Sequence, residues 1–183
     1  MSGARGRRVR QGAGRRLAYG LGLLPAAAGE LVGVAVSGPL GGVDTARRHL
    51  ACGGVTSDLD DRAPGPRVLL HGVLSAVLGG LFWWLAWMAL LATARGPFYG
   101  FVVAGPYDDA WGGPNLVGAW AAHAWVWVGT LVVLAVVWWA LGALQIRLTE
   151  HLLGGRRRPW VVPVTVPVVL GFGLLVAAWV QQI

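Results

Sequence analysis

The chain has 183 residues, of which 56% are hydrophobic and 13% are charged, and its mean hydropathy is +0.60. A soluble domain needs about a quarter charged residues to cover its surface, so this composition excludes a soluble globular protein. The formal charge of +7 arises from 15 arginines that flank apolar segments. This pattern favours contact with an anionic lipid bilayer and argues against nucleic acid as a partner.

Residues 1–16 form a basic arm that is expected to lie at the cytoplasmic face of the membrane. Its arginines stand among glycines, which is typical of a segment that has no fold of its own. Together with the apolar run 17–24 and the alanines at 26–28, the arm also fits a signal peptide with a small-residue cleavage site. Pro25 and a further apolar run that carries Glu30 fit a retained segment better.

The first apolar stretch, 17–43, carries Pro25, Glu30 and Pro39 and is long enough to cross a membrane once. The arginine count argues against a single crossing, because arginines collect on the cytoplasmic side. A single crossing divides the arginines seven against eight, whereas a stretch that dips in and returns leaves fourteen inside and Arg95 alone outside. We therefore predict a re-entrant or interfacial helical hairpin that is broken near Pro25.

Glu30 is expected to face protein or water in that hairpin, because an ionised carboxylate on the lipid side costs about 2.5–3.5 kcal/mol or more. A tilted single span with Glu30 hydrogen-bonded to a neighbouring helix is the alternative. The following segment, 43–67, is predicted to be a solvated cytoplasmic linker. Its aspartates lack the glycine and distal glutamate of a calcium loop, so they are interpreted as surface charge.

Two long apolar segments, 68–94 and 118–146, contain 27 and 29 residues without a charge. Each exceeds the roughly 20 residues that a helix needs to cross hydrocarbon. The connecting segment, 95–117, contains prolines, aromatic residues and aspartates, and is expected to be a structured external loop. Together these segments predict an antiparallel membrane hairpin.

Small residues are expected where helices contact one another, because they let helix backbones approach closely. The predicted packing positions are Gly29, Gly33, Gly72, Ala76 and Gly80. The spacing of these residues is interpreted as helix packing and not as a cofactor-binding loop.

Polar and aromatic residues of the 118–146 span share one helical face that meets the indoles of the preceding span. At a rise of about 1.5 Å per residue, His123 and Trp87 lie at similar depths near the outer ends of their helices. An indole-lined ligand pocket beneath the external loop is the sharpest binding-site hypothesis. Its residues are Trp83, Trp87, Trp120, His123, Trp127, Asp108 and Asp109. Alternatively, the tryptophans are interfacial anchors and His123 hydrogen-bonds a neighbouring helix.

Residues 155–183 are predicted to form a basic anchor followed by a third span. The arginine triplet at 156–158 fixes the start of this segment inside the cell. The stretch 160–180 then supplies 21 residues without a charge, enough to cross the membrane.

The sequence has no arrangement typical of an enzyme, a metal site or a cofactor site. No nucleophile is paired with a base, and no cysteine and histidine cluster has zinc spacing. Cys52 is the single cysteine, which excludes an internal disulfide. His71 and His123 cannot share a haem iron, because they are predicted at opposite ends of a hairpin, about 30 Å apart by helix rise. We expect no catalytic residue, no metal and no cofactor.

The order of three segments in this chain resembles the order found in a known protein family. They read RRLAYGLGLLPAAAGELV after the basic arm, ARRHLACG in the cytoplasmic segment, and LQIRLTEHLLGG after the long hairpin. Over 15–154 this order resembles the sensor-type membrane domain that precedes the kinase domain of actinobacterial sensor histidine kinases. The resemblance implies two membrane hairpins, cytoplasmic termini and a role in sensing envelope conditions. The first hairpin is shortened here, and the 160–180 span stands where the family has an output domain.

We therefore predict an all-α integral membrane protein of the bacterial inner membrane. It is a small helical bundle with three full transmembrane helices and a broken or re-entrant N-terminal helical segment, and 17–154 forms the sensor-like domain. The predicted function is a non-enzymatic sensor module that detects an envelope or lipid-borne signal and relays it to a membrane or cytoplasmic signalling partner. The sequence is compatible with a homo-oligomer and with a hetero-oligomer.

An accessory or structural subunit of a membrane transporter or respiratory complex is the alternative function. An independent transporter fits least, because Glu30 stands alone in its span and no internal repeat is visible.

Overall fold

The computed structural model describes residues 13–155 and 158–181. The helices are α1 (Ala13–Cys52), α2 (Gly65–Arg95), α3 (Tyr99–Val102), α4 (Leu116–Leu152) and α5 (Val161–Val180). Most of the predicted basic arm and the first two arginines of the 156–158 triplet lie outside the described residues.

Four of these helices, α1, α2, α4 and α5, are long and apolar enough to cross a membrane. The predicted all-helical class and the predicted apolar spans are therefore confirmed at this level. The observed helices are longer than the predicted segments, because helix α2 begins before residue 68 and α4 continues past residue 146. The predicted external loop contains the short helix α3.

The break that was predicted near Pro25 lies instead at Gly38. Helix α1 runs through Pro25, and Gly38 alone within it has non-helical backbone angles, with φ at 72° and ψ at −168°. Only glycine enters this left-handed region at no steric cost. Pro39 reinforces the turn because a proline disfavours the helical conformation of the residue before it.

The two halves of α1, 13–37 and 39–52, lie antiparallel to each other. A Cβ added to Gly33 would come within 2.8 Å of the Gly41 carbonyl oxygen, so the two backbones are in contact close to the turn. Farther from the turn, the rings of Tyr19 and His49 stack with centroids 4.5 Å apart. Residues 43–52 are therefore helical, and the linker that was predicted over 43–67 is limited to 53–64.

The first half of α1 also packs antiparallel against α2. A Cβ on Gly79 would lie 2.6 Å from the backbone nitrogen of Leu24, and one on Gly72 would lie 2.8 Å from Leu31 Cδ2. Glycine is required at position 79, because a side chain there would meet the backbone of α1 and push the two helices apart, whereas at position 72 the close neighbour is the end of the Leu31 side chain. The turn of α1 lies beside the first residue of α2, where Pro39 Cγ is 3.4 Å from a Cβ built on Gly65.

The described chain divides into two compact units. The first contains the residues up to Phe82 and those from Ala140 onward, and the second is Trp83–Trp139. Helices α2 and α4 contribute residues to both units. The buried apolar core of the first unit includes Leu23, Leu50, Leu78, Phe82, Leu148 and Leu153.

Threonines within the long helices satisfy their hydroxyl groups locally. The threonines outside the site described below donate to the carbonyl four residues earlier, at distances of 2.7–3.0 Å, as in Thr93 to Ala89 and Thr165 to Val161. This back-bonding lets a hydroxyl lie in an apolar helix without a partner from another helix. A polar side chain that hydrogen-bonds to another helix therefore differs from these locally satisfied hydroxyls.

Candidate functional site

A carboxyl group and an imidazole meet in the interior of the first unit. Glu30 of α1 and His71 of α2 are each 2% exposed. The Nδ1 atom of His71 lies 2.7 Å from Glu30 Oε1 and 3.0 Å from Oε2. We call Glu30 and His71 the buried pair.

Helix α4 supplies the other side of the site. Thr149 Oγ1 lies 2.9 Å from His71 Nε2, and Gln145 Nε2 donates to Ser75 Oγ over 2.8 Å. Ser75 stands one helical turn after His71, and Thr149 stands one turn after Gln145, so each couple shares a helix face. With Glu30 these four residues form what we call the polar cluster, which joins three helices.

Glycines bring α1 and α2 close enough for the buried pair to form. A Cβ on Gly72 would lie 3.7 Å from the carboxyl carbon of Glu30, and one on Gly42 would lie 3.5 Å from Glu30 Cγ. Larger side chains at these positions would occupy the space of the Glu30 side chain. The same small residues that allow close packing therefore position the carboxyl group against His71.

The hydrogen bonds of His71 allow two protonation states. An ionised carboxylate only accepts, so the Nδ1 proton of His71 is donated to Glu30. In the neutral ring, Nε2 accepts a hydrogen bond from the Thr149 hydroxyl. In the charged ring, Nε2 donates to Thr149, whose hydroxyl then donates to the Gln145 carbonyl at 3.0 Å. The hydrogen-bond distances alone are therefore compatible with either protonation state of the ring.

Burying these groups is costly compared with an apolar contact. The desolvation penalty is several kcal/mol per ion, and apolar residues of similar volume often replace a buried ion pair without loss of stability. Ionisable groups inside membrane helices are rare and usually mark a function. The buried pair is therefore the strongest candidate for a functional element in this chain.

The predicted tryptophan pocket lies in the second unit, where the structure joins three of its residues to local partners. Trp120 donates to the Pro97 carbonyl over 2.8 Å, and Trp127 donates to Thr93 Oγ1 over 3.1 Å. His123 Nδ1 donates to the Ala119 carbonyl of its own helix over 2.7 Å.

Helix α3 in the loop covers His123. The rings of Tyr99 and His123 stack at 3.8 Å between centroids. Trp83 and Trp87 are about half exposed, and Asp108 and Asp109 are exposed in the loop. The arrangement links the loop to α4 but leaves the ligand pocket itself a prediction.

The predicted packing residues lie mostly at helix contacts. Gly33 and Gly72 make the close approaches described above, Gly29 faces Thr45 at 3.5 Å, and Gly80 faces Phe172 of α5 at 3.6 Å from a built Cβ. Ala76 is half buried. Gly79, which is not among the predicted packing positions, makes a closer approach than its neighbour Gly80.

Within the part of the chain that the structure describes, no three histidine, cysteine, aspartate or glutamate side chains are grouped as a metal site would require. Cys52 is exposed with a free thiol at the end of α1. It is therefore a natural attachment point for a probe.

Sequence reasoning placed Glu30 against protein or water but missed its partner. His71 was predicted only to lie at one end of the hairpin, and Gln145 belongs to the polar face that was predicted for the 118–146 span. The available signal was the isolation of each of these residues in an apolar run, because a lone polar residue in a membrane helix must find a partner. Sequence spacing could not identify which one.

Comparison of the chain with protein-family models, with curated proteins and with solved structures finds no match.

Proposed function

We propose that this chain is a non-enzymatic sensor module of the bacterial inner membrane. Its responsive element is the buried pair, which takes up or releases a proton and relays that change to a partner protein through the packing of α1, α2 and α4. The observation that carries this proposal is the contact of 2.7 Å between two side chains that are each 2% exposed. The order of segments shared with sensor-type membrane domains supports the same role.

The polar cluster has the properties of a switch because its members come from different helices. One added proton changes the charge of this buried site by a full unit, which is costly unless the packing adjusts. A proton then favours whichever helix arrangement accommodates the extra charge better. The titratable side chains around the site are Tyr19, Glu30, His49 and His71, whereas α4 contributes Gln145 and Thr149, which do not titrate.

In the membrane, we propose that α2, α4 and α5 cross fully and that α1 is a re-entrant or interfacial hairpin. The antiparallel halves of α1 support this topology, since they direct residues 13 and 52 toward the same end of the hairpin. Asp44 and Arg48 are exposed on its second half, which suits the headgroup layer. The N-terminus and the linker are then both cytoplasmic.

A spin label on Cys52 tests the proposed function in the full chain reconstituted in lipid bilayers. Acidification between about pH 8 and pH 5, where histidines titrate, is expected to change the mobility of the label. Glu30→Gln and His71→Gln should abolish the change, whereas His151→Gln, a histidine outside the cluster, should retain it. A label that ignores pH in the unsubstituted protein contradicts the proposal, as does an unchanged response in both cluster variants.

An accessory subunit of a larger membrane complex is the second candidate, and open glycines favour it. Gly129, Gly142, Gly171 and Gly173 have no neighbouring atom within 4 Å of a built Cβ, so close approach of another helix is sterically allowed at α4 and α5. Gly171→Leu and Gly129→Leu should then release a co-purifying membrane complex. Co-purification of a signalling protein alone would favour the sensor.

A further inference from the structure

Three buried polar atoms in the first unit have no hydrogen-bond partner. They are Tyr19 Oη, His49 Nε2 and Gln145 Oε1. All three residues line a single cavity with a volume of about 10 Å³, and Glu30 and His71 line the same cavity. Buried polar atoms are nearly always paired, so three orphans around one small cavity call for a common partner.

The three atoms differ in what they need. The Tyr19 hydroxyl is a donor, and Gln145 Oε1 is an acceptor. The His49 ring hydrogen-bonds to the backbone of Tyr19, and because Nε2 is unpartnered, Nδ1 makes that bond. The neutral ring therefore presents Nε2 as an acceptor. The residues that line the cavity therefore carry one unsatisfied donor and two unsatisfied acceptors.

Glu30 adds a further acceptor to this cavity. The hydrogen bonds described for its carboxylate both come from the same donor, His71 Nδ1. A carboxylate has about four acceptor sites, so several lone pairs remain for another donor.

We propose that this cavity is a binding site for one water molecule. The water donates to His49 Nε2 and Gln145 Oε1 and accepts from the Tyr19 hydroxyl, which matches the three orphan atoms. The volume of about 10 Å³ is near the minimum that holds a single water, and buried waters typically make about three hydrogen bonds. The partners come from both halves of α1 and from α4, so the water joins the two halves of α1 to α4.

Solid-state NMR of the full chain in lipid bilayers, with ¹⁵N-labelled histidine, tests the site. Magnetisation from water protons should reach His49 Nε2 rapidly in the unsubstituted protein. Tyr19→Phe and Gln145→Leu each remove one partner of the water and should abolish this transfer, whereas Tyr107→Phe, a matched change in the second unit, should leave it intact. Equal transfer to His49 in the unsubstituted protein and both cavity variants would overturn the water site.

Discussion

The two units of this protein handle their polar groups in opposite ways. In the second unit, His123 donates to the carbonyl one turn earlier in its own helix, and Trp127 bonds to Thr93 on the neighbouring helix. In the first unit, Glu30 and His71 depend on each other across two helices, and α4 supplies the remaining contacts. In the second unit these side chains bond to backbone carbonyls and a hydroxyl, whereas the first contains two ionisable side chains that are each 2% exposed and bond to each other.

In our proposal, the second unit anchors the protein in the membrane and the first unit contains the responsive element. Neutral hydrogen bonds of a tryptophan survive a change of pH, and half-exposed indoles suit the membrane interface. In the proposed function, the contact between a buried carboxyl and an imidazole couples the helices to the proton supply. The first unit is therefore the better candidate for a signal-receiving element.

The largest expected effect comes from breaking the buried pair. Glu30→Ala leaves His71 without its partner, and removing one member of a buried ion pair typically costs about 3–5 kcal/mol. We expect a loss of this size in the free energy of unfolding, measured by denaturant titration in mixed micelles. Asp109→Ala, which removes an exposed carboxylate in the second unit, should change the unfolding free energy little.

The double variant Glu30→Leu with His71→Leu completes this test. Because it removes both charges, it should be more stable than Glu30→Ala. If Glu30→Ala and Asp109→Ala were equally mild, the contrast between the two units would have no energetic basis.

The next effect concerns the glycine contacts that position the pair. Gly79→Ala places a methyl group 2.6 Å from the backbone nitrogen of Leu24, which cannot move without shifting α1. We expect a net loss of about 1–3 kcal/mol, since overpacking outweighs the better helix propensity of alanine. Gly80→Ala is the matched control, because its methyl group would meet Phe172 at an ordinary contact distance. Equal stability of the two variants in the same titration would contradict the close packing of α1 against α2.

A smaller effect is expected in the second unit. Trp127→Phe removes the hydrogen bond to Thr93 and keeps most of the ring, so the loss should be about 0.5–1.5 kcal/mol. Trp125→Phe is the control, because Trp125 is 77% exposed. The pH response of the Cys52 label should be unchanged in both variants. Loss of that response in Trp127→Phe would show that the responsive element is the tryptophan pocket and not the buried pair.

The smallest effect is expected from the exposed ion pairs of Arg47, which lies near the end of α1. Arg47 contacts Asp44 and Asp61, and all three side chains are at least 40% exposed. Asp61→Asn should lower the unfolding free energy by about 0–1 kcal/mol, and added salt should reduce the difference further. A loss as large as that of Glu30→Ala would show that exposure does not distinguish the two kinds of ion pair.

The sequence predicted which segments become long helices because apolar length is a local property. It predicted the ends of those helices less well. Residues 43–52 carry Asp44, Arg47 and Arg48 and were assigned to a linker, yet they form the last turns of α1. Charged residues are compatible with a helix that exposes one face, and the sequence alone did not show that such a face exists.

The turn of α1 was predicted at the wrong position because the 17–43 stretch contains two prolines, Pro25 and Pro39, either of which could mark it. Pro25 is tolerated within the helix, whereas Pro39 follows a glycine that can adopt a positive φ. The combination of Gly38 and Pro39 was the more specific turn signal.

The buried pair could not be derived from spacing. Glu30 and His71 are separated by 41 residues, and their contact depends on the reversal of α1 and on the glycines at its contact with α2. Sequence reasoning did identify Glu30 as a residue that should avoid lipid. The tryptophan pocket was derived from helix periodicity, which predicts a shared face but not whether the side chains enclose a cavity.

The most direct test follows the ring nitrogens of His71 and the Cys52 spin label through one pH series in lipid bilayers. Solid-state NMR with ¹⁵N-labelled histidine reports the protonation of His71, which a His71→Gln variant assigns. The proposed function predicts that the His71 signals and the label mobility change together between about pH 8 and pH 5. His71 signals that stay constant over this range, or a label that moves without them, would contradict the buried pair as the responsive element.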